Sequence, residues 1–377
     1  MAGLVAARGA AAAGAGPLDP ARSRALYAGR RRDGAEWRLM LPAFTDDGRP
    51  SPAVGALGAL ALLLLVAGAV LVFQRLGEAA PLTASTGGTG RVVFSSDRGD
   101  DLDIYVVNPD GSGRVRLTDA RGNDQTPAWS PDGTKIVFES RRNGNFDIFV
   151  MNADGSNVVQ LTDSPADDVF PRWVPDGGRI VFASARNGDF DIFVMHADGK
   201  SQERRTREAS TDTAPAFSPD GAKIVYQSLR DGNDDIFVMN VDGTNQIRLT
   251  DDPAQDWLPV YSPDGTKIAF QRARADGNSF DIWVMNADGS DERQVTRTDT
   301  SAVAAAWSPD GTKLAFSSHA NGGIRILVVN LDGTGLAQIT GGSGYNSYVP
   351  DWRDPAIRPP ATTTTVAPTT TTTTRRR

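Results

Sequence analysis

Aspartate recurs at one fixed place in the sequence, and its carboxylate is suited to binding a cation or a basic partner. Four aspartates stand five residues before a recurring aromatic residue: Asp124, Asp168, Asp212 and Asp256. The two equivalent positions further along the chain are Ala302 and Ser347, so the acidic series stops there. One interpretation is a rim of carboxylates that holds a cation or a basic peptide segment. The structural alternative is that each aspartate only caps a turn before the nearby proline.

Aromatic residues stand in the same segments as the aspartates. They are Phe170, Trp257, Tyr345 and Tyr348. Large apolar side chains among polar groups are typical of the anchors of protein interfaces. We therefore predict one binding surface made of the four aspartates and these four aromatic residues.

Residues that commonly carry catalysis are scarce. The chain has no cysteine and only two histidines, His196 and His319, and neither has a convincing partner for acid–base catalysis. The segment Asn152 to Ser156 resembles part of a calcium loop but lacks the closing glutamate. We predict no catalytic residue, no metal site and no cofactor, and hence a protein that is not an enzyme.

An arginine and an aspartate recur on the two sides of a short hairpin. The arginines are Arg98, Arg142, Arg186, Arg230 and Arg274, and the aspartates are Asp103, Asp147, Asp191, Asp235 and Asp281. In the last repeat both change, to Ala320 and Arg325. This joint change predicts a cross-strand ion pair within each repeat, which is a structural role.

The elements that position these residues repeat about every 44 residues. One unit contains an apolar strand from Lys135, a second strand from Asp147, an Asp154-Gly155 turn and a short strand ending at Thr162. A further strand carries the recurring aromatic residue. Four antiparallel strands make a propeller blade, and blades in a ring cover both faces of each sheet, which explains the uninterrupted apolar runs.

The pattern predicts an all-β fold, a six-bladed β-propeller over residues 91–353. No aromatic strand precedes Arg91, whereas one extra strand, around Tyr348 to Trp352, follows the last unit. We expect this last strand to complete the first blade, which is the velcro closure of propellers.

The ends of the chain differ from the repeats. An uncharged apolar run over residues 53–73 predicts one transmembrane helix, and the arginines that precede it place the N-terminus in the cytoplasm. We expect a disordered cytoplasmic arm over 1–52, a linker over 74–90 and a disordered Thr/Pro-rich tail over 354–377. An uncleaved signal anchor is favoured over a cleaved signal peptide, and the propeller is expected outside the cytoplasm.

Two segments, WSPDGTKIVF (129–138) and DIFVMNADGS (147–156), resemble the repeat of the TolB-type, WD40-like propeller family. The resemblance covers about residues 91–352 and implies a propeller fold. TolB has a small α/β domain before its propeller. Only about 17 residues separate the apolar run from Arg91, so we expect that domain to be missing here.

The net charge of the repeat region bears on which class of molecule it can bind. The net charge is -7, and because both ends are basic, residues 91–352 carry about -14. An acidic domain repels phosphate backbones, so nucleic acid is not expected. We predict a monomeric, membrane-anchored scaffold that binds a protein or a cell-wall ligand. The alternatives are a carbohydrate lyase or hydrolase with a metal at the channel mouth, and an envelope sensor that signals through residues 1–52.

Overall fold

A computed structural model describes residues 90–98, 101–342 and 345–354. The predicted arm (1–52), membrane span (53–73), nearly all of the linker (74–90) and nearly all of the tail (354–377) lie outside the described residues. Within the three described ranges there is no helix of the length and apolarity that membrane crossing requires.

The described residues form six four-stranded antiparallel sheets, which are the blades of a propeller. The prediction of an all-β, six-bladed propeller is confirmed. Blade 1 has the strand order β24-β1-β2-β3, and blades 2 to 6 are built from the consecutive groups β4–β7, β8–β11, β12–β15, β16–β19 and β20–β23.

The first strand of each blade faces the central axis, and each contacts the first strands of its two neighbours. These inner strands are β4 (Asp124–Trp129), β8 (Asp168–Trp173), β12 (Thr211–Phe217), β16 (Asp256–Tyr261), β20 (Ala302–Trp307) and β24 (Ser347–Arg353). The second strands are β1 (Arg91–Ser96), β5 (Lys135–Ser140), β9 (Arg179–Asn187), β13 (Lys223–Arg230), β17 (Lys267–Ala273) and β21 (Lys313–Ala320).

The outer half of each blade holds a long third strand and a two-residue fourth strand. The third strands are β2 (Asp103–Val107), β6 (Asp147–Asn152), β10 (Asp189–His196), β14 (Asn233–Asn240), β18 (Phe280–Asn286) and β22 (Gly323–Asn330). The fourth strands are β3 (Val115–Arg116), β7 (Val159–Gln160), β11 (Glu203–Arg204), β15 (Ile247–Arg248), β19 (Arg293–Gln294) and β23 (Ala337–Gln338).

Blade 1 contains strands from both ends of the repeat region. Strand β24 pairs antiparallel with β1, from Arg91 opposite Arg353 to Ser96 opposite Ser347. Arg353 also donates a hydrogen bond to the carbonyl oxygen of Pro131 in the neighbouring blade. The last strand therefore contacts two blades.

The core lies between neighbouring blades. In β5 the successive residues Ile136, Val137 and Phe138 are all fully buried, because each face of the sheet packs on a different neighbour. Aromatic rings stack across the second and third strands, as in the Phe138–Phe149 pair with centroids 5.9 Å apart. The interpretation of the uninterrupted apolar runs as two-sided strands is confirmed.

The Asp-Gly turns are held by their own side chains. The Asp154 carboxylate accepts hydrogen bonds from the backbone N–H and the hydroxyl of Ser156, at 2.9 and 2.6 Å. Gly155 has a φ of 87° and lies so close to Leu117 of the preceding blade that a Cβ would be 2.6 Å from its carbonyl oxygen. The turn is a tight Asx turn that fixes blade spacing.

Candidate binding site at the channel mouth

One residue in each inner strand has a left-handed backbone. These six residues are Thr126, Phe170, Ala214, Leu258, Ala304 and Val349, and their φ angles lie between 46° and 55°. All six line one depression on the propeller axis, which is partly open to solvent. We call this depression, with the six residues that surround it, the channel mouth.

A β-bulge places each of these residues. In β8, Val169 pairs with Ala183 and Arg172 pairs with Val181, so three steps on one strand match two on the other. The extra residue leaves the ladder and turns toward the axis. A proline follows it in five of the six strands, as Pro171 follows Phe170, and proline has no N–H that the ladder could use.

Side chains from the preceding blade hold three of the bulges. The N–H of Phe170 donates to Glu139 Oε2 at 2.6 Å, the N–H of Ala304 donates to Gln271 Oε1 at 3.0 Å, and the N–H of Val349 donates to Ser317 Oγ at 3.0 Å. Each acceptor lies in a second strand. At these three bulges, the backbone of the channel mouth is therefore held by contacts between blades.

Glu139 is the one carboxylate among these acceptors. It is fully buried and also accepts a hydrogen bond from Gln125 Nε2 at 2.9 Å. Within the described ranges, none of the ion pairs includes it. Burial raises the pKa of Glu139 to about 7, although the hydrogen bond from the Phe170 N–H lowers it.

An ion pair lies below the channel mouth. Arg172 Nη1 is 3.0 Å from Asp351 Oδ1, and the two residues come from blades 3 and 1, on either side of blade 2. Asp351 Oδ2 also accepts a hydrogen bond from the backbone N–H of Trp129 at 2.8 Å. The equivalent positions in the other four blades carry small or branched apolar residues: Ala128, Ala216, Val260 and Ala306. The mouth is thus an apolar site with a charged floor.

The four predicted aspartates lie beneath the surface. Asp124, Asp168, Asp212 and Asp256 are all fully buried. Arg142 and Arg186 contact Asp124 and Asp168 at 3.0 and 2.9 Å, and Arg230 lies 3.7 Å from Asp212. Asp256 accepts two hydrogen bonds of 2.7 Å from Arg272. The expected open acidic rim is not formed, because the bulge begins after the aspartate and leaves its side chain facing the second strand.

Burial is also the main influence on how these carboxyl groups titrate. It raises the pKa of Asp124, Asp168 and Asp212, while hydrogen bonds from Ser140, Ser184 and Ser228 oppose the change. It raises the pKa of Asp256 to about 6, against the opposing effect of Arg272. These groups are interior ion-pair partners in the structure.

The predicted pairing of hairpin arginine with hairpin aspartate is wrong in most blades. Arg142, Arg186 and Arg230 reach inward to the inner-strand aspartates instead. The hairpin aspartates pair with arginines of the fourth strands: Asp103 with Arg116, Asp191 with Arg204 and Asp235 with Arg248, at 2.7, 2.8 and 2.7 Å. Among the described residues, only Arg274 and Asp281 pair as predicted, at 2.7 Å. In this blade the inner-strand aspartate, Asp256, already pairs with Arg272, so Arg274 pairs with the hairpin aspartate instead.

The four predicted aromatic residues do not share one surface. Phe170 lines the channel mouth. Trp257 is buried against Phe280, with ring centroids 4.8 Å apart, and Tyr348 is buried beside Leu102 and Ile324. Tyr345 is buried under arginine side chains between blades 6 and 1. Phe170 alone of the eight predicted binding residues lines the mouth.

Several mouth residues were not predicted from the sequence. They are Gln125, Thr126, Ala214, Leu258, Val303, Ala304 and Val349. The available signal was the proline that interrupts five of the six inner strands, because proline inside a strand marks a bulge and a bulge turns a new residue toward the axis. In the parts of the chain that the structure describes, no three His, Asp or Glu residues are grouped as a metal would require.

Comparison with known proteins agrees with the architecture. The family model for the TolB beta propeller domain matches residues 163–301 and 257–355, which together make up more than half of the chain. A model for the tricorn protease N-terminal beta propeller domain matches residues 89–190. No protein in the curated set matches the sequence significantly.

Solved structures with low sequence identity share the fold. TolB from Acinetobacter baumannii superposes with a TM-score of 0.62 at 21% identity, covering 70% of this chain and 66% of that one. This chain therefore spans slightly less than two thirds of that TolB. A putative TolB from Agrobacterium tumefaciens gives 0.56 at 21% identity, covering 71% and 99%. Hydrazine synthase from Kuenenia stuttgartiensis gives 0.61 at 16% identity, covering 72% and 48%. By its repeats, its six blades and the matching family model, the chain belongs to the TolB β-propeller family.

Proposed function

We propose that this protein is a non-catalytic scaffold that binds a segment of another protein at the channel mouth. The observation that carries the proposal is the channel mouth itself, where five of the six left-handed residues, all except Thr126, have apolar side chains. Three of the six backbone N–H groups are held by side chains of the preceding blade. A rigid apolar depression favours a ligand that inserts an apolar side chain, since little conformational entropy is lost in the receptor.

The charged floor supports a peptide ligand. Arg172 is tied to Asp351 through one hydrogen bond of 3.0 Å, and its side chain keeps 26% of its surface exposed. Its remaining N–H groups can donate to backbone carbonyl oxygens of an inserted segment. An apolar wall above hydrogen-bond donors matches an extended peptide better than a sugar, which needs polar groups on every side.

We further propose that residues 53–73 anchor the protein in a membrane with the propeller outside the cytoplasm. The support is the uncharged apolar run and the arginines before it. The channel mouth would then face a ligand close to the membrane surface, such as an envelope protein.

The test is a pair of matched variants of the full chain. Leu258→Asp places a charge in the mouth, and aspartate tolerates the left-handed φ of 53° at this position. Val159→Asp is the control, because Val159 is exposed on the outer strand β7. We expect chemical cross-linking in intact cells, quantified by mass spectrometry, to show a partner that Leu258→Asp loses and Val159→Asp keeps. Equal capture of every partner by both variants would contradict the proposal.

A further inference from the structure

Three arginines surround Tyr345 where blades 6 and 1 meet. The guanidinium carbons of Arg98, Arg325 and Arg114 lie 3.5, 5.3 and 5.7 Å from the centre of the Tyr345 ring. Arg114 Nη1 also donates to the Tyr345 hydroxyl at 3.0 Å. We call these three residues the seam arginines.

The same positions carry balanced charges elsewhere in the ring. In blade 3, Arg186 bonds both oxygens of Asp168 and donates to Gln202 Oε1 at 2.6 Å. In blade 1 the equivalents of Asp168 and Gln202 are Ser347 and Arg114. At the positions that hold a carboxylate and an amide beside Arg186, blade 1 therefore has a hydroxyl residue and a second cation. The buried Ser347 hydroxyl has no hydrogen-bond partner among the described residues.

Blade 6 adds a third cation, again because an arginine stands where other blades have a different residue. Arg325 occupies the position that is aspartate in the other five blades and is fully buried. Its Nη groups donate to backbone carbonyl oxygens, including those of Ile324 at 2.9 Å and Gly342 at 2.7 Å. Its Nε has no hydrogen-bond partner among the described residues, and the same is true of the buried Nε of Arg114.

The nearby carboxylates are engaged elsewhere. Asp97 accepts hydrogen bonds from the backbone and side chain of Asn346, and Asp103 pairs with Arg116 at 2.7 Å. Asp110 accepts from the Ser112 hydroxyl at 2.6 Å. Within residues 90–98, 101–342 and 345–354, no ion pair includes any seam arginine. Among the described residues, three positive charges therefore lie together without a direct ion pair, and the charge of Asp97 acts on Arg325 from a longer distance.

We infer that the seam arginines form a binding site for a phosphate-class oxyanion. A single carboxylate is matched by one guanidinium fork, whereas the two guanidiniums of Arg98 and Arg114 favour a dianion with several acceptor oxygens. Arg325 is buried and its Nη groups donate to backbone carbonyl oxygens, so it contributes positive charge behind the site and not direct contacts. Access is from an open cleft lined by Arg114, Gln338, Thr340 and Gly341, and also by Asp110. Arg98 is exposed, and its one hydrogen bond among the described residues, to the Gly341 carbonyl oxygen, is at 3.5 Å, so its donors can turn toward a ligand.

The test uses the full chain and inorganic phosphate. Isothermal titration calorimetry with sodium phosphate, at constant ionic strength set by sodium chloride, should show binding to the wild type. The double variant Arg98→Gln, Arg114→Gln should bind phosphate at least tenfold more weakly. The control is Arg121→Gln, Arg297→Gln, which removes the same charge from exposed positions and should stay within twofold of the wild type.

Two further measurements test the folding of the variant and the source of the anion. Thermal unfolding without phosphate shows whether the seam variant folds, and the single variant Arg98→Gln replaces it if it does not. Vesicles containing phosphatidylglycerol distinguish the source, because displacement of phosphate supports a lipid headgroup and no displacement supports a soluble phosphate. Absence of phosphate binding to the wild type, or equal loss in both double variants, would overturn the inference.

Discussion

Glu139 shows how one side chain couples two blades and the channel mouth. Its carboxylate accepts the N–H of Phe170 from blade 3 and the side-chain amide of Gln125 from its own blade. Because the group is buried, its charged form is disfavoured and its pKa rises from 4.5 to about 7. A carboxyl group with a raised pKa stabilises the fold most when protonated, and that stabilisation is lost as pH rises through the folded-state pKa.

The first prediction follows from this loss of stability with rising pH. The wild type should lose stability relative to Glu139→Gln as pH rises from about 4.5 to about 7, with a relative change of about 3 kcal/mol at most. The free energy of unfolding, measured by denaturant titration at several pH values, checks this. Glu208→Gln, at an exposed position, is the control and should follow the wild type. Parallel pH profiles for the wild type and Glu139→Gln would refute the assignment.

The buried aspartates illustrate what the residue types alone do not reveal. Their recurrence and the loss of the series at Ala302 and Ser347 are visible in the sequence. Their burial is not, because strict strand alternation does not indicate where a bulge will shift the facing of the next side chain. The sequence therefore suggested that Asp256 is an exposed binding residue, whereas in the structure its carboxylate accepts two hydrogen bonds from Arg272.

At the scale of the strand, the bulge is the element that makes the site. Each bulge leaves one N–H outside the ladder, and a buried N–H without an acceptor costs about 1–3 kcal/mol. Gln271 supplies the acceptor for Ala304 from the preceding blade. The inner strands are therefore stabilised by their neighbours and not by their own sheet alone.

The second prediction concerns that contact. Gln271→Met keeps the side-chain length but removes the acceptor, so the protein should lose about 1–3 kcal/mol of stability. Hydrogen exchange at the Ala304 amide should become faster, as followed by mass spectrometry or NMR. The Phe170 amide, which Glu139 holds, serves as an internal control and should exchange at its original rate. An unchanged Ala304 amide would show that the bulge does not depend on the neighbouring blade.

At the scale of the whole molecule, the repeats determine the architecture. The apolar runs, the Asp-Gly turns and the six aromatic strands predict the number of blades, because each feature recurs in each unit. The channel mouth could be predicted only in part, since it depends on bulges that bring residues from six separate strands together on the axis. Two seam arginines, Arg98 and Arg114, come from the start of the repeat region and the third, Arg325, comes from near its end. They are brought together where the pairing of β24 with β1 joins the two ends.

That pairing joins the ends of the ring, and the shape of the mouth depends on it. Ser96 and Ser347 are opposite each other in β1 and β24, and both are buried. The chain has no cysteine, so a pair of introduced thiols has no competitors. Ser96→Cys with Ser347→Cys reports directly on whether the two strands are adjacent.

Mild oxidation of this variant, followed by mass spectrometry of its peptides, should show a disulfide between positions 96 and 347. The matched control is Ser96→Cys with Ser140→Cys. Ser140 ends the second strand of blade 2, as Ser96 ends the second strand of blade 1, so the two thiols lie in different blades and should stay reduced. Failure of the first pair to cross-link, or equal cross-linking of both pairs, would contradict a closed six-bladed ring.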